Sequence, residues 1–354
     1  MKIGISSLMI QRGKTGIGQY LFALLKAMLT KAEEEQFVVF ALEEDLQLFD
    51  FARERVELMR VAEQWRAPLK NIVWHQTQLP RLARELRLDV LHVPSYRRLL
   101  WPRPCPMVAT IHDLAPFTVT RKYDLLRTAY ARYFVPYLAR RQDHVIAISE
   151  TTARDLRHFF RVEPARLSVV YNGVDHEQFH PTDAAAQKIE VAKTFELTAP
   201  YFLYVARIEH PGKNHLRLIH AFNAFKAETG LDWQLVLAGS DWKGAEVVHE
   251  AAHKSRWSAD IRFLGFVPDK QLPALYGAAE GFVFPSLFEG FGMPAIEAMA
   301  CGCPVICGSA GALGEVVGEA ALLLKDVTDE AEMTRRLVEV ATGPELRLEL
   351  RRKG

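Results

Sequence analysis

The sequence predicts an α/β protein built from two doubly wound parallel sheets, one in each half of the chain. Three observations carry this. Short apolar runs rich in Val, Ile and Leu alternate with longer amphipathic stretches from end to end. The runs lack the polar alternation of a half-exposed sheet, as strands covered by helices on both faces require. The third observation is a break in character. After NGVDHEQFHP the chain turns polar and alanine-rich from Thr182 to Pro200, then starts a fresh strand, YFLYVARI. The boundary is expected near residue 180, giving domains 1–180 and 181–354. At 354 residues the chain exceeds the usual single core, so two domains are the default.

In the first half the strands are expected at Lys2 to Ser7, Phe37 to Leu42, Val56 to Val61, Val90 to Val93, Met107 to His112, Val145 to Ser149 and Ser168 to Tyr171. In the second they are expected at Tyr201 to Ala206, Gln234 to Ala238, Ile261 to Leu264, Gly281 to Phe284, Pro304 to Cys307 and Ala320 to Leu324. The helical stretches between them make repeated βαβ units. Two such domains normally face each other with the carboxyl ends of their strands, and ligands bind in the crevice between.

Composition excludes several classes. Lys and Arg number 44 against 43 Asp and Glu, a balance that argues against a nucleic-acid binder. No apolar run approaches the ~20 residues of a membrane span. The first residues enter a strand directly, so no secretory leader is read there. Four cysteines in this length are no disulfide framework. A cytoplasmic enzyme is expected.

QRGKTGIGQY, at residues 11–20, resembles two phosphate loops and completes neither. A P-loop needs glycine where Leu8 stands, and a dinucleotide fingerprint needs it where Leu21 stands. Glu43 and Glu44 after the second strand could supply the fingerprint's ribose acid, which keeps that reading open. Lys14 is read as an ordinary loop lysine. What remains is a pair of backbone N–H groups, at Gly16 and Gly18, opening a helix toward an anion or polar group. The alternative is a glycine turn that only lets strand and helix pack closely.

HEAAH, residues 249–253, matches the two-histidine zinc pattern, but the extended pattern's further positions hold Arg256 and Ala259. A solvated helix face is the preferred reading. Cys301, Cys303 and Cys307 lack the partners of a tetrahedral site and read as buried packing.

The informative stretch is PSLFEGFGMPAIEAMACGCPVI, residues 285–306. A strand ends at Phe284, a turn with Gly290 and Gly292 follows, and a helix is expected from near Pro294. Glycines admit a ligand to the backbone, and a helix N-terminus favours an anion. Glu289 lies in the turn, and Glu297 is placed in the first turn of the helix. Carboxylates beside an anion site suit the hydroxyls of a sugar or a ribose. For Glu297 the alternative is an acid favoured by the helix dipole. Upstream, ARIEHPGKN sets Arg207 and Lys213 at the end of a strand, where two cations could clamp a diphosphate and offset charge on a leaving group. A basic solvent-exposed loop is the plainer reading of that pair by itself. The chain holds no Asp-x-Asp for a cation, so these side chains are expected to replace a metal.

These motifs, in order over nearly the whole chain, resemble the retaining family 4 glycosyltransferases with the GT-B fold. The resemblance also takes in TIHDLAPF from Thr110, VIAISETTARDL from Val145, VVYNGVDHEQFHP from Val169 and FLGFVPDKQLPALYGAAEGFVFPS from Phe263. It implies that Arg207 and Lys213 bind the donor diphosphate, and that Glu289 contacts the transferred sugar beside the backbone of Gly290, Phe291 and Gly292. It implies that Glu297 holds the ribose, and that Val267 touches the base through its main chain. His112 matches a histidine near the donor sugar, and Gly16 with Gly18 the loop that meets donor phosphate or acceptor. It further implies retention of configuration with no divalent metal or other cofactor. The leaving phosphate takes the acceptor proton, so no general base is assigned. His112 with Asp113 is the one pair resembling a base and its orienter, and sugar positioning is preferred for it. One departure is that family members end with a helix crossing back to the first domain. Here the chain stops at LRLELRRKG, and that helix reads as shortened or absent.

HDL and EGFGMPAIEAMACGCPVI look most like mannosyltransferase-type members that use GDP-mannose, with UDP-glucose and other donors left open. A glycan or lipid-linked saccharide of cell-surface polysaccharide synthesis is the expected acceptor. YRRLLWPRP sets Leu99, Leu100 and Trp101 among three arginines, and Arg81, Arg84 and Arg87 recur at helical spacing. Two readings stand: peripheral attachment to anionic lipid, or a packed loop and a solvated face. A nucleotide-sugar epimerase or phosphorylase, and a non-catalytic nucleotide-sugar-binding subunit, are the rival classes.

Overall fold

The computed structural model describes residues 1–13, 15–95, 98, 100–101, 103–114, 117 and 134–354. Lys14, and Tyr96, Arg97, Leu99 and Pro102 of the arginine-rich loop, lie outside the described residues, as do Ala115 and Pro116 of TIHDLAPF. The chain divides into two compact units, Met1–Gly173 and Val174–Gly354, so the division falls a few residues before the expected 180.

The first unit holds β1 (Lys2–Ser6), β2 (Gln36–Leu42), β3 (Val56–Val61), β4 (Val90–Val93), β5 (Met107–Ile111), β6 (His144–Ala147) and β7 (Leu167–Val169). They form a seven-stranded parallel sheet in the order β3-β2-β1-β4-β5-β6-β7. The helix Gly16–Lys31 buries Leu21, Leu25 and Leu29 against Ile5, Phe37 and Val39 on one face. The helix Pro68–Glu85 buries Trp74, Leu79 and Ala83 against Val38, Phe40 and Leu91 on the other.

The second unit holds β8 (Tyr201–Val205), β9 (Gln234–Ala238), β10 (Ile261–Gly265), β11 (Gly281–Phe284), β12 (Val305–Gly308) and β13 (Ala321–Leu324). These form a six-stranded parallel sheet in the order β10-β9-β8-β11-β12-β13. Its core gathers Leu203, Val236, Phe282 and Ile306 with Phe222 and Phe225 of the helix His215–Thr229. The last helix, Pro344–Lys353, belongs to this unit, with Arg347 Nε 3.3 Å from Glu280 Oε2.

All the expected strands are present, with ends shifted by a residue or two where the chain leaves to cap a helix. Ser149 shows this: expected at the end of a strand, it caps the next helix by accepting from Thr152 N at 3.0 Å. In both sheets the strand order reverses once, between β1 and β4 and between β8 and β11. Loops leaving the carboxyl ends of such strands diverge, and that opening is where open α/β sheets bind ligands. No helix among the described residues is long and apolar enough to cross a membrane.

Candidate active site

In the second unit, the loops leaving β8 and β11 carry six of the expected residues, Arg207, Lys213, Glu289, Gly290, Phe291 and Gly292, to the switch point of the sheet. The loop after β8 runs alongside that after β9, with Ile208 N bonded to Ser240 O at 3.0 Å and Trp242 N to Ile208 O at 2.9 Å. This pairing sets the indole of Trp242 under Arg207, whose guanidinium carbon lies 4.8 Å from the ring centroid. Arg207 Nη2 also reaches Glu209 Oε2 at 3.4 Å. The guanidinium is thus held on two sides and still about half exposed, ready for an anion.

Lys213 is placed by its own backbone. The phenol of Tyr204, buried in β8, donates to Lys213 O at 2.7 Å and lies 3.2 Å from Ser286 Oγ. Asn214 follows in the left-handed region (φ 61°) and donates its amide to Pro285 O at 3.1 Å and Val327 O at 2.7 Å. Leu287 N closes the arrangement on Gly212 O at 3.1 Å. Lys213 Nζ then meets Glu289 Oε1 at 2.5 Å, so sequence positions far apart form one ion pair.

Glu289 is fixed by a close approach. Its carbonyl accepts from Ala312 N at 2.9 Å, and it bridges to Gly311. A Cβ on Gly311 would lie 2.1 Å from Glu289 O, and its φ is +69°, so only glycine fits there. Gly292 (φ +96°) starts the helix Met293–Ala300, and Phe291 before it is buried.

Glu297 departs from the expected position. The helix begins at Met293, with Pro294 second, so Glu297 falls in the second turn and no acid occupies the first. The dipole account of this residue is therefore removed. Its carboxyl lies among buried groups, where Tyr276 Oη donates to Oε2 at 3.0 Å. Burial pushes its pKa up to about 7, and the charge of Asp269 adds to this while the Tyr276 bond opposes it. Val267 has its side chain in the core, which leaves its main chain for any ligand contact.

In the first unit the helix after the glycine loop starts at Gly16 with Thr15 as its cap. Thr15 Oγ1 accepts from Gly18 N at 3.3 Å. The N–H of Gly18, expected to face a ligand, is therefore engaged by the cap, a role that Thr15 was suited to from its type. His112 stands just beyond β5, with its ring bonded to the backbone of Pro94 and its Nε2 buried with no partner among the described residues.

Other expectations resolve into packing. His249 Nε2 pairs with Asp241 Oδ1 at 2.8 Å and its ring lies 4.3 Å from that of Phe263. Cys301, Cys303 and Cys307 are buried free thiols, and burial pushes those of Cys301 and Cys307 up to about 12. Leu100 is fully buried, as the packed-loop reading expects. Trp101 stays half exposed, with the Arg141 guanidinium 3.9 Å over its ring and Tyr137 at 6.0 Å. Arg81 and Arg84 share the helix Pro68–Glu85, but Arg87 lies past its end at φ 52°, so the three do not form one helical face.

Sequence reading missed Trp242, Tyr204 and Tyr276. Trp242 had a signal, an aromatic in the turn AGSDWKG at the end of a strand beside β8. The two tyrosines had none, because buried aromatics in strands and helices are ordinary core.

Known protein families match the sequence of both halves. The family described as "Glycosyltransferase Family 4" matches residues 15–178, and that described as "Glycosyl transferases group 1" matches residues 186–354. The chain is 28% identical over 343 residues to O-antigen chain mannosyltransferase B of Escherichia coli, covering 91% of this chain and 86% of that protein. It is 32% identical over 249 residues to the serotype-specific mannosyltransferase WbdA of Escherichia coli, covering 68% of this chain but only 30% of that longer protein. The crystal structure of Anabaena Alr3699/HepE in complex with UDP and glucose is similar with a TM-score of 0.78, over 99% of this chain and 92% of that one. At 18% identity this is a likeness of fold.

Proposed function

Because the chain belongs to the family 4 glycosyltransferases of the GT-B fold, and is a hexosyltransferase, we propose that it moves mannose from GDP-mannose onto a glycan or lipid-linked saccharide in cell-surface polysaccharide synthesis, with retention and without a divalent metal. The observation that carries the reading is the pairing of Lys213 with Glu289 beside Arg207 at the switch point of the second sheet. Lys213 and Glu289 are in contact and Arg207 leaves the same strand end as Lys213, which supports a reading in which one ligand meets all three.

In this reading Arg207 and Lys213 receive the diphosphate and offset the charge that builds on it as the glycosidic bond breaks. Glu289 orients the sugar through its hydroxyls, next to the backbone of Gly290, Phe291 and Gly292. Glu297, held by Tyr276, accepts from the ribose hydroxyls, and the main chain at Val267 meets the base. The acceptor proton passes to the leaving phosphate on the face it leaves, so no side chain is assigned as base. The mannosyltransferase relatives support the choice of mannose.

A thermal-shift screen of GDP, UDP, ADP and TDP tests the donor, since a bound ligand raises the melting temperature. GDP is expected to give the largest shift. A larger shift by UDP would move the donor to a uridine sugar, and no shift by any of them would end the donor-site assignment. Transfer from GDP-mannose is expected to persist in excess EDTA. Product formed from donor alone would point instead to an epimerase. The exposed cluster of Trp101, Tyr137 and Arg141 supports peripheral contact with anionic lipid. Failure to sediment with anionic vesicles at low salt would remove it.

A further inference from the structure

Arg207 and Lys213 stand on two arms of one loop in the second unit, and different neighbours hold each arm. The Arg207 arm lies along the loop after β9, with Ile208 N bonded to Ser240 O at 3.0 Å and His210 N to Lys243 O at 3.2 Å. The Lys213 arm lies along the loop after β11, with Leu287 N on Gly212 O at 3.1 Å and the Asn214 amide on Pro285 O at 3.1 Å. Asn214 N closes the tip of the loop on Pro211 O at 3.0 Å. Behind that tip, His215 joins the two arms.

His215 is the first residue of the helix His215–Thr229. A helical side chain leans toward the N-terminus of its helix, so this ring lies back over the loop that precedes it. Its Nδ1 is 3.2 Å from Glu209 O, on the Arg207 arm. A carbonyl oxygen only accepts, so Nδ1 carries a proton and donates. Glu209 in turn reaches Arg207 Nη2 through its carboxylate at 3.4 Å. The His215 ring also packs on that of Tyr204, with centroids 4.6 Å apart and planes at 32°. Tyr204 is the group that donates to Lys213 O at 2.7 Å. One imidazole therefore touches the main chain of one arm and the support of the other.

Burial lowers the pKa of the ring to about 4, the Glu209 bond opposes this, and the charges of Lys213, His210 and His249 add to it. The ring is uncharged near neutrality, and its Nε2 carries a buried lone pair with no partner among the described residues. A phenylalanine would stack on Tyr204 as well and would bury no unpaired acceptor. Packing by itself thus favours an apolar ring, and what histidine adds is the bond to Glu209 O.

We infer that His215 is a positioning residue, which crosslinks the two arms and so sets the spacing of Arg207 and Lys213 for a diphosphate. That the ligand is a nucleoside diphosphate rests on the glycosyltransferase reading, whereas the crosslink rests on the second unit alone. A diphosphate offers two phosphoryl groups to two cations, and a monophosphate offers one. The crosslink therefore bears on the preference for GDP over GMP, not on nucleotide binding at large.

Calorimetric affinities of the full chain for GDP and GMP test this, with UDP and UMP in their place if UDP gives the larger thermal shift. His215→Phe keeps the stack and loses the donor. Its GDP affinity is expected to fall about tenfold, roughly the effect of losing one hydrogen bond, with GMP affinity changed less than about twofold and the melting temperature close to the wild type's. His215→Asn sets an amide N–H where Nδ1 stood and is expected to restore the preference for GDP. Equal losses for GDP and GMP in His215→Phe, unaltered affinity for both, or a His215→Asn that prefers GDP no more than His215→Phe does, overturns the proposal. Should His215→Phe fail to fold, His215→Asn decides: a wild-type preference upholds the crosslink, and a lost one overturns it. Nitrogen-15 NMR of the histidine-labelled wild type, with His215→Asn identifying the signals, is expected to show a protonated Nδ1 and an unprotonated Nε2 at neutral pH. A protonated Nε2 overturns the bond to Glu209 O. Failure of the donor reading looks different: no nucleotide binds the wild type while the His215 spectrum is as expected, so the crosslink stands and its ligand does not.

Discussion

Lys213 Nζ and Glu289 Oε1 stand 2.5 Å apart, each on a side chain less than one-fifth exposed. The lysine comes from the loop after β8 and the glutamate from the loop after β11. The cation proposed for a diphosphate and the carboxylate proposed for sugar hydroxyls thus neutralise each other in this structure. Under the proposed reading, a diphosphate entering beside Arg207 would compete for Lys213 and so free Glu289 for the sugar.

Glu289→Gln removes the competitor and keeps the shape. Affinity for GDP, measured by calorimetry, is expected to stay the same or tighten, while kcat for transfer falls on the order of a hundredfold. A loss of GDP binding equal to the loss of kcat would contradict the division of roles.

Arg207→Ala is expected to weaken nucleotide binding and transfer together. Trp242→Ala tests what aligns the guanidinium. An exposed cation–π contact contributes about 0.5–1 kcal/mol, so GDP affinity should drop by a factor of roughly two to five. Wild-type affinity in Trp242→Ala would show that Glu209 suffices to hold Arg207.

Glu297 predicts a pH effect with an unusual sign. Its pKa in the folded protein, about 7, lies above that of a free glutamate, so the folded state binds the extra proton. The proton's contribution to stability is present at acidic pH and is lost as pH rises toward 7. Glu297→Gln has no charge to bury, so its melting temperature should exceed the wild type's at about pH 8 and converge with it near pH 5. Nucleotide affinity of the wild type should in turn fall as pH drops below about 7, because the protonated acid accepts ribose hydroxyls poorly. A flat affinity profile from pH 5 to 8 would rule this out.

Gly311→Ala sets a Cβ into the carbonyl of Glu289 at a backbone angle that suits glycine. The cost is expected to be about 1–3 kcal/mol, read as a lower midpoint in urea, with activity falling further than stability explains. Full activity in a destabilised Gly311→Ala would mean that the Glu289 backbone need not be held.

Much of this was legible in the chain itself. Apolar runs marked the strands because parallel strands are covered on both faces, and Gly290 and Gly292 marked the Glu289 turn because glycine pairs there serve no regular element. What was not legible depended on register. His92 and Thr110 are eighteen residues apart and meet only because β4 and β5 pair in one particular alignment. Glu297 reads as a first-turn acid if Pro294 opens the helix, but the helix opens on Met293 and leaves Glu297 one position too late. The N–H of Gly18 looks free in sequence because a cap is fixed only by where the helix starts, and with the start at Gly16 it is Thr15 that takes it.

Asn214 gives both protons of one amide to carbonyls on two separate loops, Pro285 O and Val327 O. Three segments that the chain order keeps apart are therefore spliced at one nitrogen. Exchanging that nitrogen for oxygen, as spontaneous deamidation does, would turn two attractions into two repulsions next to Lys213. Such a change at Asn214 would loosen the loop that places Lys213 while leaving the strands of the sheet unaltered.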